Sequence, residues 1–341
     1  ERELGAAIRS RLAAGVDVAP AEAAARVFAR PAVVGNAVIV LTQEQRRAVE
    51  VALASPVCIV SGGPGTGKTS IIVAMLRVAA QLGFEPASIA LGAPTGKAAD
   101  RMRSAIEAGL AAIGDPLPSD GRLAEALPAP RTLHRLLGFS PSRGHFRHSA
   151  DNPLSARLVV LDEGSMIDVF LMEHVVSALR PGAQLVLLGD ADQLPSVAAG
   201  AVFRDLSGRV PSVRLTESHR LDPRQPEGSH ILRVAAEINA GRLPSMRGPG
   251  AWMREVDASG RQDFLREWTL RVELGDAARR TFARQAGPTG EAVAWDLPLL
   301  LEELFERAER HRLLCITRRG RHATSVEAVN AWMHRDIASD E

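Results

Sequence analysis

The chain has 341 residues, 46% of them hydrophobic, and its 41 basic and 40 acidic side chains leave a formal net charge of +1. This length predicts about two domains with a substantial core, and the balanced charge excludes nucleic-acid binding through an overall basic surface, so any such binding depends on local patches. No apolar run of about 18 residues and no signal peptide is found, so we expect a cytoplasmic protein. Cys58 and Cys315 lie in apolar runs, which predicts two buried thiols and no metal site formed by cysteines.

The first 40 residues are rich in Ala and Arg, are mildly helical, and end in a β-like run, Val33–Val40. Because the chain begins without Met, we expect residues 1–40 to be the remnant of an N-terminal region. A helix is predicted to follow Thr42, a suitable N-cap, and to continue through Val51. Within it, Gln45 has an amide that can both donate to and accept from adenine; a solvated helix position is the alternative.

A glycine-rich segment between an apolar strand and a helix is the central feature of the sequence. The predicted strand Val57–Val60 runs into Gly62-x-x-x-x-Gly67-Lys68-Thr69, and a helical pattern follows until Gly83. Such a loop directs backbone N–H groups at a phosphate, and the helix N-terminus adds partial positive charge. Lys68 is predicted to reach the β- and γ-phosphates, and Thr69 to supply a hydroxyl to Mg²⁺. The residues predicted to bind the nucleotide are Gln45, Gly62, Gly63, Pro64, Gly65, Thr66, Gly67, Lys68, Thr69 and Ser70.

Lysine is rare in this chain: two of the 41 basic residues are lysines, Lys68 and Lys97, and 39 are arginines. A compact ammonium suits phosphate in a way that the wide guanidinium does not. Lys97 lies in Ala93–Ala99, a small-residue turn with Thr95 that follows a predicted strand and begins a helix. This turn favours a second phosphate contact, to a nucleic-acid backbone, over an ordinary capped turn.

The next part of the chain is predicted to be irregular and then basic. Residues 110–130 are rich in Pro, Gly and Ala and are predicted to form a loop. From 131 to 157 one acid, Asp151, stands against five arginines, which favours contact with a polyanion over a solvated loop. Residues 139–152 are predicted to contain a short hairpin. The arginines are Arg131, Arg135, Arg143, Arg147 and Arg157.

Three further predicted strands each end in polar residues. After the first, Leu158–Leu161, Asp162 is predicted to hold Mg²⁺ and Glu163 to polarise the attacking water. Gln193 follows the strand that begins at Leu185, and we expect it to contact the γ-phosphate. Arg220 follows Val213–Leu215 and is expected to add positive charge to the transition state.

The C-terminal third is predicted to be mainly helical, with helices at His230–Ala240 and Leu299–Arg310. A strand, Leu313–Thr317, and a helix, Val326–Met333, follow. We therefore predict an ATPase domain at 41–230 with the hairpin near 139–152 as an insertion, a helical linker region at 231–308, and the start of a second domain at 309–341.

The ordered set of motifs resembles that of the superfamily-one helicases of the RecD type. Gly164, which follows the two acids, replaces the Ala that is usual in this family. The matching segments, in chain order, are Gln45, Ser61–Thr69, Ala93–Ala99, Thr132–Gly138, Arg147–Leu154, Leu161–Asp168, Leu188–Leu194 and Ser218–Arg220.

This resemblance implies an α/β fold, a RecA-like P-loop NTPase with a parallel sheet flanked by helices, that uses ATP and Mg²⁺ to move 5′ to 3′ along single-stranded DNA. It implies duplex-end DNA and RecB-like and RecC-like subunits as partners, in a RecBCD-type exodeoxyribonuclease V that repairs double-strand breaks by recombination. The exonuclease activity would belong to the complex, and the hairpin would be a strand-separating pin. The residues expected to contact DNA are Thr95, Lys97, Thr132 and His134.

Two family motifs of the second RecA-like domain, V and VI, are not found before the chain ends. We therefore expect this chain alone to bind ATP but to hydrolyse it poorly. A stand-alone RecD-like helicase is one alternative. A non-motor P-loop ATPase, such as a loader or switch, and a non-catalytic structural subunit are two others; the basic segment and Gln193 disfavour the former, and the intact Lys68, Thr69, Asp162 and Glu163 disfavour the latter.

Overall fold

The computed structural model describes residues 2–193, 200–219, 222–245, 247–272, 306, 312–315 and 323–339. The chain divides into two compact units, Glu1–Ala251 and Trp252–Glu341. Among the described helices, none combines the length and apolar character needed to cross a membrane.

The described helices and strands are named here in chain order. They are α1 (Arg2–Ala14), α2 (Ala21–Phe28), β1 (Ala32–Val34), β2 (Ala37–Ile39), α3 (Gln43–Leu53), β3 (Val57–Gly62), α4 (Lys68–Gln81), β4 (Ile89–Ala93), α5 (Gly96–Ala111), α6 (Pro118–Ala126), β5 (Arg131–Thr132), α7 (Leu133–Leu136), β6 (Phe139–Ser140), β7 (His145–Phe146), β8 (Leu158–Leu161), α8 (Val169–Ser177), β9 (Gln184–Gly189), α9 (Val202–Leu206), β10 (Ser212–Leu215), α10 (Pro226–Asn239), β11 (Arg247–Gly248), β12 (Ala251–Trp252), α11 (Ala258–Val272) and α12 (Val326–Ser339).

The first unit is built on a six-stranded sheet with strand order β10-β3-β9-β8-β4-β5. Every neighbouring pair in it is parallel. The three central strands β3, β9 and β8 are fully buried, as expected for continuous apolar runs covered on both faces. The carboxyl ends of all six strands therefore meet at one edge, where ligands bind in open α/β sheets.

Alternate residues of the strands support two separate cores, because successive side chains point to opposite faces. On one face Cys58 and Val60 pack with the helices α2 to α6. On the other, Val57 and Ile59 pack with α1, α7, α8 and Phe203 of α9. The arrangement confirms the expected α/β fold, a RecA-like parallel sheet flanked by helices.

Local signals fix where several helices begin. Thr42 is the predicted N-cap: its hydroxyl accepts from Gln45 N, and the Gln45 side chain accepts from Thr42 N, which completes a capping box. Thr95 caps α5 and Asp168 caps α8 through their side-chain oxygens. The hairpin predicted within 139–152 is also present, with β6 and β7 paired antiparallel.

Some predictions from the sequence are wrong. Residues 110–130 are not simply a loop, because α6 forms there and is held by a buried ion pair between Asp120 and Arg77 of α4. Helix α10 begins at Pro226, four residues before His230, since Pro at the first helical position suits a helix start. Cys58 is buried, but Cys315 is partly exposed.

Two further predictions concern the second unit. The predicted strand at 313–317 is absent from its described part, 312–315, which has no regular structure, and Ile316 and Thr317 lie outside the described residues. Most of the predicted helix at 299–310 also lies outside them. Helix α12 begins at Val326 as predicted and continues to Ser339. The predicted domain boundaries stay predictions.

Candidate active site

The phosphate loop, residues 62–69, links β3 to α4 and depends on its glycines. Gly65 and Gly67 have φ angles of 78° and 79°, a left-handed conformation that glycine adopts without strain. At Gly62 a Cβ atom would lie 2.5 Å from Thr66 Oγ1 and 2.9 Å from Leu215 Cβ. Larger residues at these three positions would therefore change the path of the loop.

Lys68 lies in the first turn of α4 with its ammonium folded onto the loop. Its Nζ donates to Gly62 O at 2.5 Å and to Gly63 O at 3.1 Å. Thr66 Oγ1 also donates to Gly63 O, at 2.9 Å. Thr69 is exposed and Ser70 is partly buried in the same turn. The ammonium and hydroxyls that the sequence predicted for phosphate and Mg²⁺ are thus gathered at one helix N-terminus.

The two predicted acids follow β8, two strands away from β3 in the sheet. Asp162 N donates to Gly92 O at 2.9 Å, and Asp162 Oδ1 accepts from Glu163 N at 2.9 Å. Glu163 is the one described non-glycine residue with a positive φ, at 54°. Strained backbone of this kind is found preferentially at functional sites.

Burial is the largest cause of a raised pKa at both acids. Burial raises the pKa of Asp162 above its usual range, while the Glu163 N–H and the Lys68 ammonium act to lower it. The pKa of Glu163 is raised by burial and then by the neighbouring Asp162, against the lowering effect of Lys68 and Arg101. The positive charges near these two carboxylates therefore do not offset the effect of burial. A bound cation would add positive charge there and stabilise the ionised forms.

The donor set fits Mg²⁺. Asp162 and Thr69 offer the hard oxygen atoms that this ion prefers, and Mg²⁺ in nucleotide sites takes its remaining ligands from water and phosphate. The described residues contain no cluster of three or more His, Cys, Asp or Glu that could hold a metal by themselves.

Gln193 lies beyond the end of β9, the strand between β3 and β8. Its N–H donates to Asp190 O at 3.3 Å, and its side chain is exposed and lines a small cavity with Asp190 and Ser165. The buried Ser165 hydroxyl in this cavity has no hydrogen-bond partner. Gln193 is thus placed at the same edge as the two acids, whereas Arg220 lies outside the described residues.

Gln45 is almost fully buried, 4% exposed, at the start of α3. Its Nε2 donates to Thr66 O at 3.0 Å and lies 3.4 Å from His219 Nε2, and its Oε1 accepts from Thr42 N at 2.9 Å. The side chain therefore contacts the phosphate loop directly, and its role in reading adenine stays a prediction.

An apolar cavity, which was not predicted from the sequence, lies beside the start of α4. It is walled by Phe28, Leu41, Arg46, Ser70 and Val73 among others. The Arg46 guanidinium lies 5.5 Å from the centre of the Phe28 ring. Gln45 does not line this cavity.

The four residues predicted to contact DNA lie at or just after the ends of two neighbouring strands, β4 and β5. Ala93 of β4 pairs with Thr132 of β5, so the turns after them lie at the same edge of the sheet. Thr95 and Thr132 each use the side-chain hydroxyl to cap the following helix, while Lys97 and His134 are exposed. The arrangement offers two helix N-termini side by side.

The hairpin β6–β7 is attached next to these turns through aromatic rings. His134 lies 5.4 Å from Phe139 and 5.8 Å from Phe146, measured between ring centres, and Phe146 lies 4.5 Å from His174 of α8. All five arginines counted between 131 and 157 are exposed, and four of them lie near this hairpin or the turn before it. Arg157 differs, because it precedes β8 and stacks on Phe84 at 4.3 Å.

The contacts of three residues near the candidate site were not predicted from the sequence. Ser218 and His219, singled out only as part of the family motif that ends at Arg220, bind the phosphate loop from the segment after β10. Phe203 packs against Gly164 and Gly189 beside the acids, and nothing in its sequence context indicates this.

Comparison with known proteins agrees with this geometry. A family model described as an AAA domain matches residues 45–199. The RecBCD enzyme subunit RecD of Mycobacterium tuberculosis is 46% identical over 309 residues, 85% of this chain and 48% of that protein. The ATP-dependent RecD2 DNA helicase of Deinococcus radiodurans is 32% identical over 220 residues, 64% of this chain and 27% of that protein.

Among solved structures, the Pif1 helicase from Candida albicans aligns with a TM-score of 0.41 and 18% identity over 76% of this chain and 56% of that one. The chain spans about half the length of the first curated relatives that it matches. From the identity with RecD subunits and the phosphate loop and acids described above, the chain belongs to the RecD family.

Proposed function

We propose that the chain is the ATP-binding part of a DNA helicase that moves 5′ to 3′ as a subunit of a RecBCD-type exodeoxyribonuclease V. The observation that carries the proposal is the common edge of the sheet: the phosphate loop, the acids after β8 and Gln193 after β9 all lie there. Two helix N-termini and an exposed lysine follow the neighbouring strands β4 and β5. ATP hydrolysis and DNA contact can thus be coupled through one sheet.

In this proposal each residue has a limited task. Lys68 neutralises the β- and γ-phosphates, and Glu163 orients the attacking water. Mg²⁺, held by Thr69 and Asp162, would neutralise charge that develops on the phosphates. Gln193 contacts the γ-phosphate and Arg220 stabilises the transition state. The apolar cavity beside Ser70 offers a surface suited to the face of a nucleobase.

DNA is proposed to run past the β4 and β5 turns. Thr95, Lys97, Thr132 and His134 would contact the backbone, where helix N-termini and exposed cations bind phosphate without reading sequence. The hairpin β6–β7, which carries Arg143 and the exposed Phe139, is proposed to be the strand-separating pin. RecB-like and RecC-like partners, a cytoplasmic location and a role in double-strand-break repair complete the proposal.

The test is ATP turnover with and without single-stranded DNA, on this chain and on a version as long as its relatives, each paired with Lys68→Ala. We expect turnover that DNA stimulates and Lys68→Ala abolishes in the longer protein, and slower turnover in this chain. Turnover in the longer protein that ignores DNA would overturn the motor assignment and leave a P-loop loader or switch.

A stand-alone helicase is the second candidate, and the 32% identity with RecD2 favours it. Unwinding of a duplex with a 5′ single-stranded tail separates the two candidates. Activity of the longer protein without added RecB-like and RecC-like subunits would support the stand-alone helicase. Activity that appears only with these subunits would support the RecBCD-type assembly.

A further inference from the structure

A small cavity lies between the turns that follow β8 and β9. Ser165, two residues after Glu163, lines it from one turn, and Asp190 and Gln193 line it from the other. The Phe203 ring of α9 forms part of the wall. Because β8 and β9 are parallel neighbours, the cavity lies where the turn of the two acids meets the turn of Gln193.

The Ser165 hydroxyl in this cavity is buried and has no hydrogen-bond partner among the described residues. The residue is 7% exposed, and a Cβ atom added at Gly189 would come within 3.1 Å of Ser165 N, so the backbone is closely packed there. Burying a hydroxyl without a partner is costly, and most buried polar groups in folded proteins bind either protein or an ordered water. The hydroxyl therefore indicates a polar ligand inside the cavity.

The cavity suits a single water molecule. Its volume is about 10 Å³, close to the smallest that holds one water, and a buried water needs about two to four polar partners. Ser165 offers a hydroxyl, Asp190 a carboxylate and Gln193 an amide. Asp190 is itself only 6% exposed. The exposed Arg204 also lines the cavity and adds a donor.

The backbone of the turn that carries Gln193 is held by hydrogen bonds within the first unit. Ala191 N donates to Ser61 Oγ of β3 at 3.1 Å, and Asp192 N donates to Asp190 Oδ1 at 3.0 Å. Neither bond involves the Gln193 side chain. The orientation of its amide therefore depends on the groups around the cavity, and a water shared with them would favour one orientation.

We propose that an ordered water, held by Ser165 and Asp190, binds in this cavity and orients the Gln193 amide toward the γ-phosphate, so that Ser165 is a positioning residue. This water is distinct from the attacking water, which must lie against the γ-phosphate. The proposal rests on the role given to Gln193 in the proposed function. It connects the turn of the two acids to the turn of Gln193 through a hydroxyl that touches no phosphate.

The thermal stability of Ser165→Ala in the 341-residue chain tests whether the hydroxyl is bonded. Removing a hydroxyl that binds water loses a hydrogen bond, whereas removing an unpaired one relieves a cost. We expect the midpoint of thermal unfolding to fall by about 2–4 °C. An unchanged or higher midpoint would overturn the proposal, because the hydroxyl would then be unpaired in the folded protein.

A crystal structure of the same chain, at a resolution that shows ordered solvent, tests the water directly. We expect density for one water at hydrogen-bond distance, about 2.5–3.2 Å, from Ser165 Oγ and from the Asp190 carboxylate. A well-ordered cavity without such density would contradict the proposal.

The effect on Gln193 is tested by measuring the affinities for ATP and ADP by calorimetry with Mg²⁺ present. We expect Ser165→Ala to weaken ATP binding by about threefold to tenfold, the size of one net hydrogen bond, and to leave ADP binding within about twofold. In a chain that already carries Gln193→Ala, the same change should have no further effect on the ratio of the two affinities. An equal loss of ATP affinity in both backgrounds would show that Ser165 does not act through Gln193.

Gln193→Ala alone separates this proposal from the proposed function. It should lower the ratio of ATP to ADP affinity. If it does not, Gln193 does not contact the γ-phosphate, and the role given to it in the proposed function fails together with the orienting step. The water site itself is then still decided by the crystal structure and by the thermal stability of Ser165→Ala.

Ser119→Ala is the matched control. Ser119 of α6 is 3% exposed, and its hydroxyl accepts from Gln81 Nε2. Helix α6 packs on the opposite face of the sheet from Phe203. We expect a lower unfolding midpoint and an unchanged ratio of ATP to ADP affinity. A fall in the ratio as large as that of Ser165→Ala would assign the effect to a general loss of stability and overturn the proposal.

Discussion

Phe203 packs against two glycines, Gly189 at the end of β9 and Gly164 shortly after β8. A Cβ atom on Gly164 would come within 2.7 Å of Phe203 Cδ2 and 3.1 Å of Leu188 O, and one on Gly189 would come within 3.0 Å of Phe203 Cζ. Phe203 is 2% exposed. The glycine that replaces the Ala usual in the family therefore has a physical partner, the Phe203 ring.

Gly164→Ala should consequently destabilise this chain by about 1–3 kcal/mol through overpacking. The Phe203→Leu change makes room for the added methyl group. The double variant Gly164→Ala with Phe203→Leu should therefore lose less free energy of unfolding than the two single variants lose together, by about 1 kcal/mol. Urea unfolding of the three variants measures both quantities. Gly121→Ala in α6 is the control, because nothing lies within 4 Å of its added Cβ and Ala is favoured in helices. If the effects of the two single changes on the free energy of unfolding simply add in the double variant, residues 164 and 203 are not coupled and the prediction fails.

At the scale of elements, a buried ion pair joins the helix that follows the phosphate loop to α6. Arg77 Nε and one terminal nitrogen donate to the two oxygens of Asp120, each at 3.0 Å, and the other terminal nitrogen donates to Arg30 O at 2.8 Å. The two side chains are 5% and 3% exposed. Breaking such a pair leaves an uncompensated buried charge.

Asp120→Ala should therefore destabilise the protein by about 3–5 kcal/mol. The double change Arg77→Met with Asp120→Leu should cost less than Asp120→Ala alone, since it removes both charges. Asp100→Ala breaks the exposed pair with Arg103, also at 3.0 Å, and should cost at most about 1 kcal/mol. Chemical denaturation of the unchanged chain and the three variants measures their free energies of unfolding and so ranks the four proteins by stability. An Asp120→Ala protein as stable as Asp100→Ala would show that the buried pair contributes little.

Helix α6 shows why some elements could not be predicted from the sequence. The strands β3, β8 and β9 are continuous apolar runs bounded by polar residues, so sequence alone located them. Helix α6 contains Pro118 and Gly121 and has a weak apolar pattern, and the contact that stabilises it comes from Arg77, about 40 residues earlier. A long-range ion pair leaves no local signal.

Some features of the candidate active site could likewise be predicted from the sequence, and others could not. The positions of the phosphate loop and of Asp162–Glu163 at the ends of their strands were predictable, because the chemistry proposed for them requires fixed residue types at fixed spacing beside a strand. The support of the loop by Ser218 and His219 was not, because a backbone N–H and a common hydroxyl act there and neither is specified by residue type. Gln45 was singled out, but its contact with Thr66 depends on how α3 packs against β3.

At the scale of the whole molecule, the described part of the nucleotide site lies within one compact unit. The unit Glu1–Ala251 contains the phosphate loop, the acids and the residues that hold the loop. Its two cores pack on both faces of one sheet and draw their buried residues from within residues 4–215. A domain with its own core can fold alone.

A protein ending at Ala251 should therefore fold and bind ATP with an affinity within about twofold of the 341-residue chain, a difference under 1 kcal/mol. Calorimetric titration of both proteins with ATP and Mg²⁺ provides the comparison, and Lys68→Ala in each establishes that binding occurs at the phosphate loop. A cooperative thermal transition in the shorter protein shows that it is folded. If the folded shorter protein binds ATP about tenfold or more weakly, residues beyond 251 contribute to the nucleotide site. The hydrogen bonds to the loop carbonyls would then be insufficient to set its affinity.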